Sequence, residues 1–160
     1  MPIIKYKRSL NLILFLSIFA LISAYFIQYI LGHQPCNLCL IERVPYICAI
    51  IIILLCFYIK KFERIFLIFL SLIFFLASIL SFYHFGIEQG FIDESLVCDL
   101  GTGDKILNAE ELLKELSRKT VSCKDVTFKI FGLSLATINI IISLVLGIIT
   151  MKYFLNYEKN

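Results

Sequence analysis

Two cysteines in the segment QPCNLCLIER have a spacing that suits thiol chemistry. Cys36 and Cys39 are separated by two residues, and Arg43 follows one helical turn later. If a helix begins near Pro35, the three side chains fall on one helix face within about 60°. The positive end of that helix and the Arg43 cation favour a thiolate at Cys36 or Cys39. A dithiol in which one sulfur is readily deprotonated is what disulfide exchange requires.

Four further cysteines differ in what their positions allow. Cys98 and Cys123 have 24 residues between them, and a bond between them would close a ring that contributes about 3 kcal/mol in the chain-entropy model. With Cys36 and Cys39 they allow three connectivities, among which the spacing does not choose. Cys48 and Cys56 share one predicted helix about 12 Å apart, so they cannot bond to each other. We interpret them as packing residues.

The composition indicates an integral membrane protein. Hydrophobic residues make up 60% of the chain and charged residues 17%, against about 45–50% and about 25% in soluble domains. The apolar residues form four blocks, each long enough to cross a hydrocarbon core of about 30 Å as a helix. The first block is too long for a signal peptide, so we expect it to be retained. The approximate spans are 9–31, 38–59, 65–85 and 130–151.

The sequence therefore predicts one all-α domain over residues 1–160, a bundle of four transmembrane helices with outer loops at about 32–39 and 86–127. In the longer loop, Asn108 and Glu111 form a helix-start signature. A short amphipathic helix lying on the outer membrane surface is our interpretation, and a helix that covers the loop's own core is the alternative.

Basic residues indicate the orientation of the four spans. They concentrate before the first span, between the second and third spans, and after the fourth, which are segments on one side of the membrane. We expect both termini to be cytoplasmic and the cysteines of the outer loops to be periplasmic, in a bacterial cytoplasmic (inner) membrane, where disulfides persist. The net charge of +3 then reflects topology and indicates no nucleic-acid partner. The basic residues of the three segments that we expect on the cytoplasmic side are Lys5, Lys7, Arg8, Lys60, Lys61, Arg64, Lys152 and Lys159.

Arg43 and His84 are the candidate contacts for a ligand. A charge inside a predicted span is a functional hypothesis by default, and His84 stands in SFYHFG at the outer end of the third span. Both side chains can donate hydrogen bonds to carbonyl oxygens of a lipid-soluble ligand. The sequence has neither a glycine-rich phosphate loop nor a haem attachment motif, so a diffusing quinone fits best as electron acceptor. His33 could perturb the dithiol, and Pro45 would kink the second helix.

The order of these motifs resembles a known family. PCNLC, then ER, four spans, and two further outer cysteines before a last helix opening FKIFGLSLATIN are similar to DsbB, the bacterial inner-membrane disulfide bond formation proteins. The resemblance covers nearly the whole chain. It implies a thiol oxidase that reoxidises a DsbA-like periplasmic thioredoxin-fold protein and passes the electrons to the membrane quinone pool, ubiquinone or menaquinone.

The resemblance also implies a role for each cysteine of the outer loops. Cys98 and Cys123 would form the disulfide that the reduced partner attacks, with Cys98 as the site of the mixed disulfide. The electrons would pass through a transient bond between Cys36 and Cys123. Cys39 would be the thiolate that faces the quinone, with Arg43 assisting.

Three other interpretations of the cysteines stay open. The protein could be a membrane anchor with two structural disulfides, in which Glu42 and Arg43 pair with each other or extend to the headgroups. The four cysteines of the outer loops could bind zinc, although a second CxxC is missing; we expect no metal. The same parts could also export reductant, but that would need redox cysteines on separate helices, whereas Cys48 and Cys56 share one.

Overall fold

The structure is a computed structural model that describes residues 2–59, 62–93, 98, 122–124, 129–130 and 132–157. The amphipathic helix expected in the long outer loop lies outside these residues. The described chain forms five helices and one two-stranded antiparallel sheet. In chain order they are α1 (Pro2–Tyr29), α2 (Asn37–Ile41), α3 (Val44–Tyr58), α4 (Glu63–Glu88), β1 (Lys129–Ile130), β2 (Leu133–Ser134) and α5 (Leu135–Tyr157).

Four helical segments of the described chain are long and apolar enough to cross a bilayer. The prediction of an all-α bundle with four membrane-spanning helices is thus confirmed, and the protein is a multi-pass membrane protein. The segments are Lys7–Tyr29, Asn37–Tyr58, Glu63–Glu88 and Leu135–Asn156.

The second of these segments is interrupted at Glu42 and Arg43, between α2 and α3. Pro45 is in the first turn of α3; because proline has no N–H, the helical ladder cannot continue through it. The Arg43 N–H instead closes a tighter turn on the Leu40 carbonyl, at 3.2 Å. The sequence predicted a kink at Pro45, and the structure places the break just before it. Cys36, Cys39 and Arg43 therefore do not share one continuous helix face.

The fourth segment starts later than residue 130, where the sequence analysis placed it. Residues Lys129 and Ile130 instead pair with Ser134 and Leu133 across a tight turn. Gly132 has a φ of 83° in that turn, a conformation that glycine adopts without the steric cost of a Cβ. The Ser134 hydroxyl accepts a hydrogen bond from the Thr137 N–H at 3.2 Å. A serine cap therefore starts α5 at Leu135.

α4 and α5 make the most extensive helix–helix contact in the described chain. Small residues let the two helices approach closely, which is the usual basis of helix association in a bilayer. The Ser71 hydroxyl donates to the Gly147 carbonyl at 3.3 Å, and the Ser78 hydroxyl donates to the Ile140 carbonyl at 3.5 Å. α4 is thereby fixed against α5 along much of its length.

The two ends of the bundle differ in chemistry. At one end the Ser9 hydroxyl bonds to the Tyr153 hydroxyl, and the Arg64 guanidinium lies 5.4 Å from the centre of the Phe154 ring. At the other end Cys36, Cys98 and Cys123 are buried in one cluster with Leu38 and Ile87. Arg64, in the first turn of α4, is therefore at the opposite end of the bundle from Cys36, Cys98 and Cys123.

Phe74 provides a test of the bundle core. Its side chain has no exposed surface, whereas Phe82 on the same helix is 64% exposed. We expect Phe74→Ala to lower the free energy of unfolding by about 3 kcal/mol, because it leaves a cavity among packed helices. Phe82→Ala is the matched control and should change it little. Reversible unfolding in mixed micelles measures both, and equal losses would contradict this packing.

Candidate functional site

Cys36 caps the amino end of α2. Its backbone is extended, with φ −70° and ψ 167°, and its sulfur accepts a hydrogen bond from the Cys39 N–H at 3.2 Å. The two sulfur atoms lie 2.7 Å apart, with both residues present as free cysteines. A CxxC pair at a helix start is thus held with its sulfurs close enough for reversible disulfide formation.

The surroundings of Cys36 favour its thiolate. The Cys39 thiol donates to the Cys36 sulfur, and the His84 Nε2 lies 3.5 Å from that sulfur on the other side. The hydrogen bond from Cys39, followed by the hydrogen bond and positive charge of His84, lowers the pKa of Cys36 from 9.0 to about 5. Burial opposes this shift, since only 6% of the residue is exposed. The spacing of the two cysteines left the thiolate open and the resemblance implied a thiolate at Cys39, whereas the structure favours a thiolate at Cys36.

His84 is held by a carboxylate. Its Nδ1 lies 2.9 Å from Glu42 Oε1, and its Nε2 lies 3.8 Å from Glu88 Oε1 on the following turn of α4. Only 3% of His84 and 8% of Glu42 are exposed. Glu42, His84 and Cys36 therefore form a continuous chain of acid, imidazole and thiol, in which the acid orients the ring against the sulfur.

Glu42 is a site residue that the sequence analysis missed. The sequence suggested Arg43 or the headgroups as the partner of Glu42, whereas Glu42 Oε2 accepts a hydrogen bond from Asn139 Nδ2 at 3.3 Å. The position of Glu42 inside a predicted span could have identified it as a functional residue, because charged residues are rare there. The sequence did not identify Asn139 as a site residue, because an amide in an apolar helix does not indicate which neighbouring side chain it binds.

Asn139 joins the acid to the rest of the bundle. Its Nδ2 also donates to the Ser81 hydroxyl at 2.7 Å, and its Oδ1 accepts from the Tyr46 hydroxyl. Tyr46 in turn lies 3.1 Å from the Ser143 hydroxyl. The polar side chains of α3, α4 and α5 thus satisfy one another's hydrogen bonds inside the bundle, where water is not available as a partner.

Arg43 turns away from Glu42 and towards α1. Its Nη1 donates to Gln28 Oε1 at 2.6 Å, and its guanidinium lies 4.9 Å from the centre of the Tyr25 ring. Two residues of α1 therefore orient the cation.

The second cysteine pair forms a disulfide. Cys98 and Cys123 are bonded, with their Cα atoms 5.9 Å apart, which is the pairing that the resemblance implied. Both residues are buried in the same cluster as Cys36. The Asn37 side chain donates to the Cys98 carbonyl at 3.4 Å. A disulfide and a dithiol are therefore packed together at one end of the bundle.

A cavity of about 530 Å³ adjoins this cluster. Apolar residues of α1 and α5 form most of its walls, and Cys36, Cys39, Arg43, His84 and Cys123 lie along it. His33 also lies on the wall. An apolar cavity with a few convergent polar groups is the usual form of a site for a small organic molecule. Cys56 lies apart from it, buried in the core of the bundle, and Cys48 is half-buried on the same helix.

The fold and the site define a class, the membrane thiol oxidoreductases, in which a dithiol and a disulfide lie together at one end of a helical bundle. Residues 6–152 match the family described as disulfide bond formation protein DsbB, and the chain belongs to that family. It is also 32% identical to a Rickettsia prowazekii (strain Madrid E) protein named "Uncharacterized protein RP370", over 98% of this chain and 91% of the relative. Membership supports a role in disulfide formation for this chain.

The pH dependence of Cys36 alkylation tests the hydrogen bond from Cys39. Protonation removes the nucleophile, so the alkylation rate should rise with pH through about 5 and then level off. Cys39→Ala removes the donor and should move the midpoint upward, towards 9.0. Cys39→Ser is the matched control, because its hydroxyl can still donate. Mass spectrometry of the Cys36 peptide gives the rate in a Cys48→Ala/Cys56→Ala background, and identical midpoints for the Ala and Ser variants would contradict the assignment.

Proposed function

We propose that the protein is a thiol:quinone oxidoreductase that reoxidises a DsbA-like periplasmic dithiol protein. The single observation that carries this proposal is the common packing of the Cys98–Cys123 disulfide with the Cys36 thiolate beside one cavity. Family membership supports the disulfide chemistry, and the expected bacterial inner membrane with cytoplasmic termini belongs to the same proposal.

The first step takes two electrons from the partner. A thiolate of the reduced partner attacks the Cys98 sulfur, the bond between Cys98 and Cys123 breaks, and Cys123 leaves as a thiolate. The partner's second thiol then attacks the mixed disulfide and releases Cys98. The partner leaves oxidised, and both cysteines of the pair are reduced.

The second step moves the electrons inward. The Cys123 thiolate attacks Cys36 in an oxidised Cys36–Cys39 pair, and the bond between Cys36 and Cys39 breaks. Cys39 leaves as a thiolate that then takes up a proton, and a transient bond joins Cys36 to Cys123. Cys98 then attacks Cys123, which restores the outer disulfide and frees Cys36. The low pKa of Cys36 supports this step, because a stable thiolate is a good leaving group. The structure has the arrangement that follows it, with Cys98 bonded to Cys123 and a free dithiol at Cys36 and Cys39.

The cavity fits a quinone as the final acceptor. Its apolar walls suit a lipid-soluble molecule, and Arg43, whose guanidinium has five N–H donors, lies at the end where Cys39 lies. His84 is on the same wall, but its two ring nitrogens face Glu42 and Cys36, so its part is to hold the thiolate and not to donate to the quinone. When bound, a quinone accepts two electrons and two protons. The chain's own part is to present the Cys36 and Cys39 sulfurs 2.7 Å apart, so that they reform their disulfide as they lose electrons. Glu42 positions His84, and Gln28 and Tyr25 position Arg43.

Quinone absorbance in the presence of a reduced thioredoxin-fold oxidase tests the relay. Substitution of Cys36, Cys39, Cys98 or Cys123 by Ala should each abolish steady-state turnover, because every cysteine takes part in the exchange. Cys48→Ala and Cys56→Ala are the matched controls and should turn over normally. Turnover that survives in any of the first four variants would break the proposed relay. No quinone reduction by the wild type, with the disulfides left intact by the partner, would favour the anchor with structural disulfides.

Arg43 is tested by the quinone concentration that gives half-maximal turnover. Arg43→Gln should raise it about tenfold or more, because a hydrogen bond from a charged group is lost. Arg43→Lys keeps the charge and should raise it less. An unchanged quinone dependence in both variants would remove Arg43 from the binding site.

A further inference from the structure

We infer that the reduced Cys36–Cys39 dithiol, together with His84 and Glu88, forms a binding site for one zinc ion. Cys36 Sγ, Cys39 Sγ and a ring nitrogen of His84 all lie within 4.8 Å of one another. This ligand set differs from a site made of four cysteines, because it uses a histidine and a carboxylate of α4 in place of Cys98 and Cys123. Zinc binding at this site does not require electron transfer to a quinone.

The ligand types and spacing suit zinc. Two cysteines separated by two residues are half of a common structural zinc site, and imidazole nitrogen is its other usual ligand. Zinc–sulfur distances of about 2.3 Å and zinc–nitrogen distances of about 2.0 Å place tetrahedral ligands about 3.5–3.8 Å apart. The Cys36 sulfur already lies 3.5 Å from His84 Nε2. The two sulfurs, 2.7 Å apart, need to separate by about 1 Å.

Glu88 provides an independent observation at the same place. Its Oε1 lies 3.8 Å from His84 Nε2, and only 6% of its side chain is exposed. Its other oxygen, Oε2, is buried and makes no close hydrogen bond among the described residues; the Ser134 side chain is the nearby donor to this carboxylate. A buried acceptor without a close donor is costly, and coordination of a cation would satisfy it. Glu88 lies outside the group of three residues whose ligand atoms are all within 4.8 Å of one another. We assign it as the fourth ligand after its side chain moves towards the two sulfurs.

Glu42 already holds the histidine as a metal ligand is usually held. Metal-bound imidazoles generally donate their second ring N–H to a carboxylate, which fixes the tautomer and directs the free nitrogen at the metal. Glu42 Oε1 lies 2.9 Å from His84 Nδ1 and leaves Nε2 on the side of the two sulfurs. Asn139 in turn donates to Glu42.

Zinc binding also releases protons. The two thiolates neutralise the divalent cation, and the Cys39 thiol and the Nε2–H of His84 both lose their protons on binding, while the carboxylate of Glu88 adds one negative charge to the site. The site is confined to one redox state, because oxidation joins the two sulfurs and removes both as ligands. Zinc would therefore bind the reduced protein, hold the dithiol against oxidation, and leave the oxidised protein unaffected.

Competition with a chromophoric chelator measures the binding without quinone or thiol partner, so its outcome is separate from that of the proposed function. Full-length reduced protein should take one equivalent of Zn²⁺ from the chelator, and protein with the Cys36–Cys39 disulfide should take none. Cys98→Ser/Cys123→Ser should still bind one equivalent. Glu88→Gln, which keeps the shape of the side chain, should weaken binding about tenfold or more.

Cobalt provides the check on ligand identity. Co²⁺ bound to the reduced Cys98→Ser/Cys123→Ser variant should show tetrahedral visible bands and thiolate charge-transfer absorption, which Cys36→Ala should lose. Circular dichroism shows whether each variant remains folded. Absence of zinc uptake by the reduced wild type overturns the proposal, as does binding that survives in Cys36→Ala/Cys39→Ala. Loss of binding in Cys98→Ser/Cys123→Ser overturns it in favour of a site of four cysteines.

Discussion

The contact between Glu42 and His84 is the interaction on which the outer end of the bundle depends. A carboxylate and an imidazole that are both buried in a membrane protein are costly unless each satisfies the other. Here the acid receives the ring N–H of His84 and the amide of Asn139, so the end of α2 is fixed against α4 and α5 at once. The position of the dithiol follows, since Cys36 lies against the other nitrogen of the same ring.

Hydrogen bonds to Cys36, from Cys39 first and from His84 second, explain how a thiolate can be stable in a nearly dry cluster. Burial alone would keep Cys36 protonated. The Cys39 thiol and the His84 ring provide two donors to one sulfur, and they outweigh the cost of desolvation. Cys36 and Cys39 also lie in one apolar cluster with the Cys98–Cys123 disulfide. Reactivity at Cys36 therefore results from local hydrogen bonds and not from exposure to solvent.

The sequence was sufficient for the parts of the molecule that are set by length and composition. Four apolar blocks predicted four helices because the bilayer thickness fixes their length, and Pro45 predicted a kink. The β-turn around Gly132 was not predicted, since the apolar residues on either side of it suit a helix start equally well. The partners of Glu42 and Asn139 depend on how separate helices face one another, and the order of residues along one helix does not contain that information. Arg43 and His84 were singled out by charge and position, yet their contacts to Gln28 and Glu42 required the structure.

The break between α2 and α3 makes the order of two residues matter. Glu42 and Arg43 are adjacent and opposite in charge, yet one contacts α4 and α5 while the other contacts α1. Exchanging the two would preserve the composition, the hydropathy and the net charge of the chain. It would also set a guanidinium against the His84 ring, and a carboxylate against Gln28 Oε1 and the face of the Tyr25 ring. The charge that each of these helices faces would then be opposite to the one its side chains bind. The order of these two residues thus determines which helices each charge contacts, and neither composition nor mean hydropathy contains that information.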